Sequence, residues 1–354
     1  MDTANDTDSV QGEPLRKRRG CLGRGVLGLL GLLVLGMIAG AIYQAAASAS
    51  DLKRYPPPGE LHDVGEYRLH IYCTGTGSPT VVLEAGAASS DLSWDLVQKG
   101  VAGFTRVCSY DRAGFGWSDP ASGPLLPEQV AEDLDKLLTA ADVPGPYLLV
   151  GHSAGGFYIR VYASQHPSEV VGMVLVDAVH EGEEAAYPEQ YVRMRNRARA
   201  MMPLCSITSP VGLVRALKLS DFSGVAVPTE VRPAYLSTVY RNAFCPAMVN
   251  EMEALSAFLS QPDIPRSLGD LPLTVLSAGA AYDRASEAEV AAMGGPEIVA
   301  QIARIHDESQ EKLARLSTQG KLIIAAESGH IIPVDQPEVV IDAIREMVEQ
   351  LRGG

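Results

Sequence analysis

Residues 147–156 read Tyr-Leu-Leu-Val-Gly-His-Ser-Ala-Gly-Gly. An apolar run typical of a buried strand stops at Gly151, and a helical pattern begins almost at once, over 156–165. A strand that turns this sharply into a helix needs little bulk at Gly151 and Gly155, because the backbone is crowded there. Such a turn lifts the Ser153 hydroxyl clear of the main chain and sets it at a helix N-terminus. The Ala154 N–H then faces an oxygen on which negative charge develops. A serine that merely caps a helix is the bland reading of the same residues. The apolar strand before it and the small residues after it favour a nucleophile.

The rest of the chain repeats the rhythm. Strand-like runs cover 67–72, 80–84, 106–110, 171–176, 273–276 and 321–325, each ending in turn or small residues. Helical patterns lie over 127–140, 156–165 and 337–351. In the first, Val130, Leu134, Leu137 and Leu138 recur at three- and four-residue steps. Short apolar strands alternating with amphipathic helices predict an α/β fold, a parallel sheet covered on both faces. Residues 179–269 break the pattern and read as helices, an insertion expected over the carboxyl ends of the strands. The expected organisation is a core of 50–178 and 270–354, with 179–269 as a helical cap.

Ser153 needs a base. His330, directly after the 321–325 strand, stands on the same sheet edge and is the candidate. A carboxylate must orient that imidazole. Asp177 ends the 171–176 strand, whereas Asp283 lies in an alanine-rich loop beyond 273–276, and both are candidates.

The N-terminus adds a membrane question. Arg16, Lys17, Arg18, Arg19 and Arg24 precede residues 25–43, which are 19 uncharged residues, and no charge occurs before Asp51. That length spans a bilayer core of about 30 Å. The positive flank predicts a cytoplasmic basic tail over 1–24, a transmembrane helix over 25–49 and everything later outside. Ala47-Ser48-Ala49 keeps open a cleaved signal segment and a secreted product. Pro56, Pro57 and Pro58 mark 51–60 as a short stiff stalk. With 43 acidic against 29 basic side chains, the net charge of −14 disfavours nucleic acid as a partner. The five cysteines form no CxxC, and no HExxH occurs, so neither a metal nor another cofactor is expected.

Taken together, these residues resemble the α/β-hydrolase superfamily, in particular its cap-bearing esterase-like members. The resemblance runs over nearly all of 65–350. Beside the Ser153 turn it rests on Val81-Val82-Leu83-Glu84-Ala85-Gly86-Ala87, on Ser109-Tyr110-Asp111-Arg112-Ala113-Gly114-Phe115-Gly116-Trp117-Ser118-Asp119, and on Ser328-Gly329-His330 followed by Asp335-Gln336-Pro337. It implies a mostly parallel eight-stranded sheet, Ser153 as nucleophile, His330 as base, and an oxyanion hole at the amides of Ala87 and Ala154. Where the family usually has His-Gly, this chain has Ala85-Gly86. Some relatives place the acid at the end of the sixth strand, about 24 residues after the nucleophile, which favours Asp177 over Asp283. The family sheet also brings Cys73 near Cys108. Cys205 and Cys245 are a second candidate pair in the cap, and Cys21 is left over. The activity implied is carboxylic ester hydrolysis through an acyl-enzyme, on a small-molecule ester or acyl substrate. The alternatives are an aminopeptidase-like amide hydrolase, with Glu181, Glu183 and Glu184 at the pocket mouth, or a membrane-tethered binding domain. Met201, Met202, Leu213, Leu217, Phe244 and Phe258 are candidate pocket residues.

Overall fold

The structure, a computed structural model, describes residues 19–219, 227–260, 266–280 and 286–353. Its centre is an eight-stranded sheet in the order β1-β2-β4-β3-β5-β6-β7-β8. The strands are β1 (Glu60–Asp63), β2 (Arg68–Thr74), β3 (Thr80–Glu84), β4 (Val107–Tyr110), β5 (Tyr147–His152), β6 (Val170–Val176), β7 (Leu273–Ala278) and β8 (Gly320–Ala325). β2 runs antiparallel to both neighbours, and every pairing from β4 to β8 is parallel. Every residue of β3, β5 and β7 is buried, as expected where helices cover both sides.

The two faces divide alternate strand residues. On one, Val82, Leu149 and Leu175 meet α3 (Pro127–Ala140), α4 (Ala154–Gln165) and α12 (Pro296–Ala314) through Leu134, Leu137, Phe157 and Leu313. On the other, Val81, Leu83, Leu148 and Val150 meet α2 (Asp95–Val101) and α14 (Pro337–Gly353) through Val97, Val101, Ile341 and Ile344. Each such aliphatic side chain contributes about 2 kcal/mol on burial. Shifting one strand by a residue would turn its whole set to the wrong face.

Between β6 and β7 stand α5 (Glu183–Ala186), α6 (Glu189–Met201), α7 (Pro203–Thr208), α8 (Leu213–Ala216), α9 (Arg232–Val239) and α10 (Phe244–Ser260). Between β7 and β8 come α11 (Glu287–Met293) and α12, and α13 (Ile332–Asp335) precedes α14. Cys73 faces Cys108 across β2 and β4 and is bonded to it, and Cys205 of α7 is bonded to Cys245 of α10.

The N-terminal segment departs from expectation. α1 (Arg19–Arg54) continues through the start of the expected stalk, because residues 44–54 have a partner: they pack on the inserted helices. β1 was not legible in the sequence. Its Glu-Leu-His-Asp run is mostly polar and short, and edge pairing with β2 makes it a strand.

Candidate active site

Ser153 sits between β5 and α4 with φ 54° and ψ −121°, a conformation rarely adopted by a residue with a side chain. Holding it there costs on the order of 1–3 kcal/mol. Its N–H donates to the Val176 carbonyl (3.0 Å), and its own carbonyl accepts from Gly156 and Val179 (both 3.1 Å). The two glycines are sterically required. A Cβ on Gly155 would lie 2.4 Å from the Glu84 carbonyl oxygen, and one on Gly151 would lie 2.5 Å from Gly155.

The loop after β8 brings His330 to this serine. His330 Nε2 lies 3.1 Å from Ser153 Oγ, and its Nδ1 lies 2.6 Å from Asp177 Oδ2. The loop is held by the Gly329 N–H donating to Asp335 Oδ2 (2.9 Å). His152 Nε2 donates to the His330 carbonyl (2.8 Å). Burial and the neighbouring His330 pull the pKa of His152 down to about 3, so it serves as a neutral donor.

Asp177 has a second imidazole partner, one that sequence reading missed. Its Oδ1 accepts from the Ala278 N–H (2.7 Å) and lies 2.9 Å from His306 Nε2. His306 Nδ1 lies 3.3 Å from Glu183 Oε1. Burial opposes charge on His306, but the two carboxylates outweigh it and push its pKa up to about 10. Burial would likewise raise Asp177, yet hydrogen bonds from His306 and His330 hold it far below the usual carboxylate range. A signal for His306 did exist. On α12, Val299, Ile302, His306, Ser309, Gln310 and Leu313 make one buried stripe at three- and four-residue steps. Polar members of such a stripe need buried partners. Gln310 finds one too, donating to the Ala178 carbonyl (2.9 Å). Asp283 lies outside the described residues.

The loop after β3 runs beside Ser153; a Cβ on Gly86 would stand 3.3 Å from Ser153 Cβ. A buried guanidinium fixes this loop. Arg112 donates to the carbonyls of Ala85 (2.8 Å) and Gly86 (2.7 Å), to Glu84 Oε1 (2.5 Å) and to Glu251 Oε1 (2.8 Å). Glu251, on α10, also accepts from the Ala88 N–H (2.6 Å) and from the Tyr158 hydroxyl (3.3 Å). Tyr110 donates to Glu84. Loop residues 85–88 are thereby tied to an inserted helix through Arg112 and Glu251.

Gly86, Ala87, Ser89, His152, Ser153 and His330 border a cavity of about 200 Å³, roofed by Met202, Met248 and Met252. Of the candidate pocket residues only Met202 lines it. Phe244 packs on Phe115 and Phe258 on Phe157, while Met201, Leu213 and Leu217 face outward. The acidic turn is engaged elsewhere: Glu181 with Arg160 (2.8 Å), Glu183 with His306, and Glu184 with Arg199 (3.1 Å). Among the described residues His70, Asp91 and Asp111 form a buried group of metal-ligand types, apart from the cavity. They bond to one another, with His70 Nδ1 2.8 Å from Asp111 Oδ2 and the Asp91 N–H 2.9 Å from Asp111 Oδ1. Burial beside Asp111 pushes the Asp91 carboxyl well up.

Comparison with known proteins agrees with this architecture. A protein of Gibberella zeae named "AB hydrolase superfamily protein" is 25% identical over 289 residues, covering 77% of this chain and 87% of its own. The "Probable transporter efuK" of Hormonema carpetanum is 28% identical over 309 residues, 82% of this chain, which spans only 42% of that protein's length. Among solved structures, a thermophilic esterase from Thermogutta terrifontis superposes with a TM-score of 0.57 at 21% identity, over 80% of this chain and 94% of its own. The model of the alpha/beta hydrolase family matches residues 81–343. With that match running from β3 through β8 and taking in the Ser153 turn and the His330 loop, the chain belongs to the alpha/beta hydrolase family.

Proposed function

We propose that the protein is a serine hydrolase that cleaves carboxylic esters through an acyl-enzyme. The observation that carries this reading is the continuous hydrogen-bond path from Ser153 Oγ through His330 (3.1 Å) to Asp177 (2.6 Å). Ser153 Oγ attacks the acyl carbonyl while His330 Nε2 takes its proton. The oxyanion is held by the amides of Ala87 and Ala154, the latter the first N–H of α4 and so without an acceptor inside the helix. His330 then protonates the departing alcohol. Water, losing its proton to His330, then attacks the acyl-enzyme; the acyl–Oγ bond breaks, the acid leaves, and His330 returns the proton to Ser153 Oγ. Asp177 stays ionised throughout, in keeping with its depressed pKa.

Asp177 is the acid of choice because its carboxylate ends β6 on backbone held by the Asp177 N–H to the Leu276 carbonyl (2.7 Å). An aminopeptidase would need a free carboxylate at the cavity mouth. Glu181, Glu183 and Glu184 are paired elsewhere and none lines the cavity, which favours esters.

We further place the catalytic domain outside the cytoplasm, anchored by α1. Hydrogen bonds from the helix to the inserted region flank residues 47–49, at Gln44 and Asp51. Cleavage there would forfeit the Gln44 contacts, which favours a retained anchor over a secreted product.

The test is labelling of the full chain by a fluorophosphonate, together with turnover of p-nitrophenyl esters of two to sixteen carbons. Both should vanish in Ser153→Ala. Folded wild-type protein that neither labels nor turns over any ester would refute the reading and bring forward a binding role.

A further inference from the structure

The inserted helices carry an apolar face that is unusual in this molecule. Met201 ends α6, Leu204 and Ile207 lie on α7, Leu213 begins α8, and Leu217 and Leu219 follow it. All six are exposed, Met201 by 66% and Ile207 by 71%. α7 packs on both α6 and α8, so the six belong to one run of neighbouring helices. Among the described residues, the other exposed large apolar side chains lie on α1, save Leu126 and Ile324. A concentrated apolar face of this kind marks a surface that meets something apolar.

Its location says what that is. α1 docks on this same region and nowhere before it. Of its glycines, Gly25, Gly28, Gly31 and Gly36 meet nothing, and Gly40 is the first in close approach, where a Cβ would lie 2.2 Å from the Val211 carbonyl oxygen. From there the helix is held by polar contacts. Gln44 Nε2 donates to the Tyr240 carbonyl (2.5 Å), and Arg215 donates to Gln44 Oε1 (3.1 Å), to Ser48 Oγ (3.2 Å) and to Asp51. Residues 24–38 are exposed throughout. The apolar stretch 25–43 spans about 29 Å at 1.5 Å per residue, close to the bilayer core of about 30 Å. Gly40 lies three residues inside its outer end, so the Val211 carbonyl that meets it lies about 5 Å below that boundary, while Arg215 of α8 meets Gln44, Ser48 and Asp51 just outside it. That is the depth at which interfacial helices bury an apolar face.

The same segment walls the Ser153 cavity. Met202 lines that cavity while its neighbours Met201 and Leu204 point out on the apolar face. A cavity of about 200 Å³ is smaller than the usual small-molecule site of roughly 300–1,000 Å³. It seats an ester carbonyl and a few methylenes, and leaves the rest of a long chain to apolar surface outside.

We propose that the 201–219 face lies in the membrane interface beside α1, and that the ester delivered to Ser153 belongs to a lipid of that membrane. The surface half rests on α1 spanning a bilayer, and the substrate half rests on the serine hydrolase reading.

Two measurements on the full chain in phosphatidylcholine nanodiscs test it. In the first, Ile207→Trp, Leu217→Trp and the distant Ile324→Trp are compared for quenching by brominated acyl chains, read as the increment over the two native tryptophans. Several-fold stronger quenching at 207 and 217 than at 324 is expected, and equal quenching at all three overturns the interface. In the second, turnover of dioleoylglycerol in the disc is compared with that of p-nitrophenyl acetate in solution, for wild type and for Ile207→Ser/Leu213→Ser/Leu217→Ser. A loss of about tenfold or more on the lipid, with acetate turnover unchanged, supports the substrate class. Acetate turnover with no lipid turnover in the wild type, or equal lipid turnover in both proteins, overturns it. Absence of fluorophosphonate labelling instead removes the serine hydrolase reading and the lipid substrate with it, while the quenching still decides the surface.

Discussion

The sharing of Asp177 between two imidazoles has a measurable consequence. His306, with its pKa at about 10, is an imidazolium at neutral pH, and it sits across the Asp177 carboxylate from His330. Two imidazoles bridged this way hold their charges about 8 Å apart, which at an effective dielectric near 20 is worth about 2 kcal/mol, or about 1.5 pH units. Glu183, beyond His306 at 3.3 Å, opposes this, so the intact pair acts on His330 with about a third of that. The sign follows from charge. The imidazolium opposes positive charge on the His330 ring, and its removal lifts that opposition. In His306→Gln, which keeps a donor toward Asp177 but leaves Glu183 charged, the acid limb of kcat/KM should move up by about one pH unit or more. In His306→Gln/Glu183→Gln the move should shrink to about half a unit. The other groups facing His330 are Asp177, the neutral His152 and, through the loop, Asp335, and all are unchanged in both variants. The assay is kcat/KM for a soluble ester from pH 5 to 9, with circular dichroism to show that each variant is folded. Identical acid limbs in all three folded proteins would refute the electrostatic role of His306.

Other outcomes are equally definite. Asp177→Asn should lower kcat about 10⁴-fold with the protein still folded, whereas Asp283→Asn should change it little; the reverse pattern, read from ester turnover, reassigns the acid. Glu251→Gln leaves Arg112 one buried carboxylate short and weakens the hold on the Ala88 N–H, so kcat should fall with little change in KM, by about 10–100-fold if one oxyanion donor is partly misplaced. His306 also contributes to stability in a pH-dependent way. Because its folded pKa is raised from 6.5 to about 10, that contribution is complete below about pH 6.5 and is lost as pH rises toward 10. Urea midpoints should therefore fall across pH 7–10 more in wild type than in His306→Gln.

The sheet was legible because strands buried on both faces are written as mostly apolar runs rich in Val and Leu, and 80–84, 147–152 and 273–278 are of that kind. β1 was not, since its four residues, three of them polar, gain strand geometry only from β2. The Ser153 turn was legible for a steric reason that operates locally, in Gly151 and Gly155. His330 could be placed by its position after a strand. His306 and Glu251 could not be assigned a purpose, because their partners lie 129 and 163 residues away, at Asp177 and Ala88. Helical periodicity announces a buried face but never says what that face meets. The inserted helices show the same limit from the other side. Of six side chains chosen as pocket residues for being large and apolar, three are turned outward, where the 201–219 face would meet lipid.

The buried charges at Glu84, Arg112 and Glu251 bear on why the inserted helices matter to chemistry at all. An ion cluster of this kind is weak evidence of stability, since well-packed apolar side chains often do as well. Its geometry is what an apolar replacement cannot reproduce. Arg112 fixes two consecutive carbonyls of the loop beside Ser153, and Glu251 takes the N–H of the next residue but one. With the carbonyls of Ala85 and Gly86 and the N–H of Ala88 all committed, the peptide between Gly86 and Ala87 has little freedom to rotate. The Ala87 N–H proposed to meet the oxyanion is therefore oriented by groups on either side of it. One of those groups belongs to α10, which also contributes Met248 and Met252 to the cavity roof. A displacement of α10 would at once reshape the acyl site and loosen the donor. On the proposed mechanism, substrate fit and transition-state stabilisation would thus be coupled through a single helix, and α10 is bonded through Cys245 to Cys205 of α7, the helix that carries Leu204 and Ile207 of the apolar face. Contact with a bilayer at that face would bear on the oxyanion loop through no more than α7, the disulfide and α10.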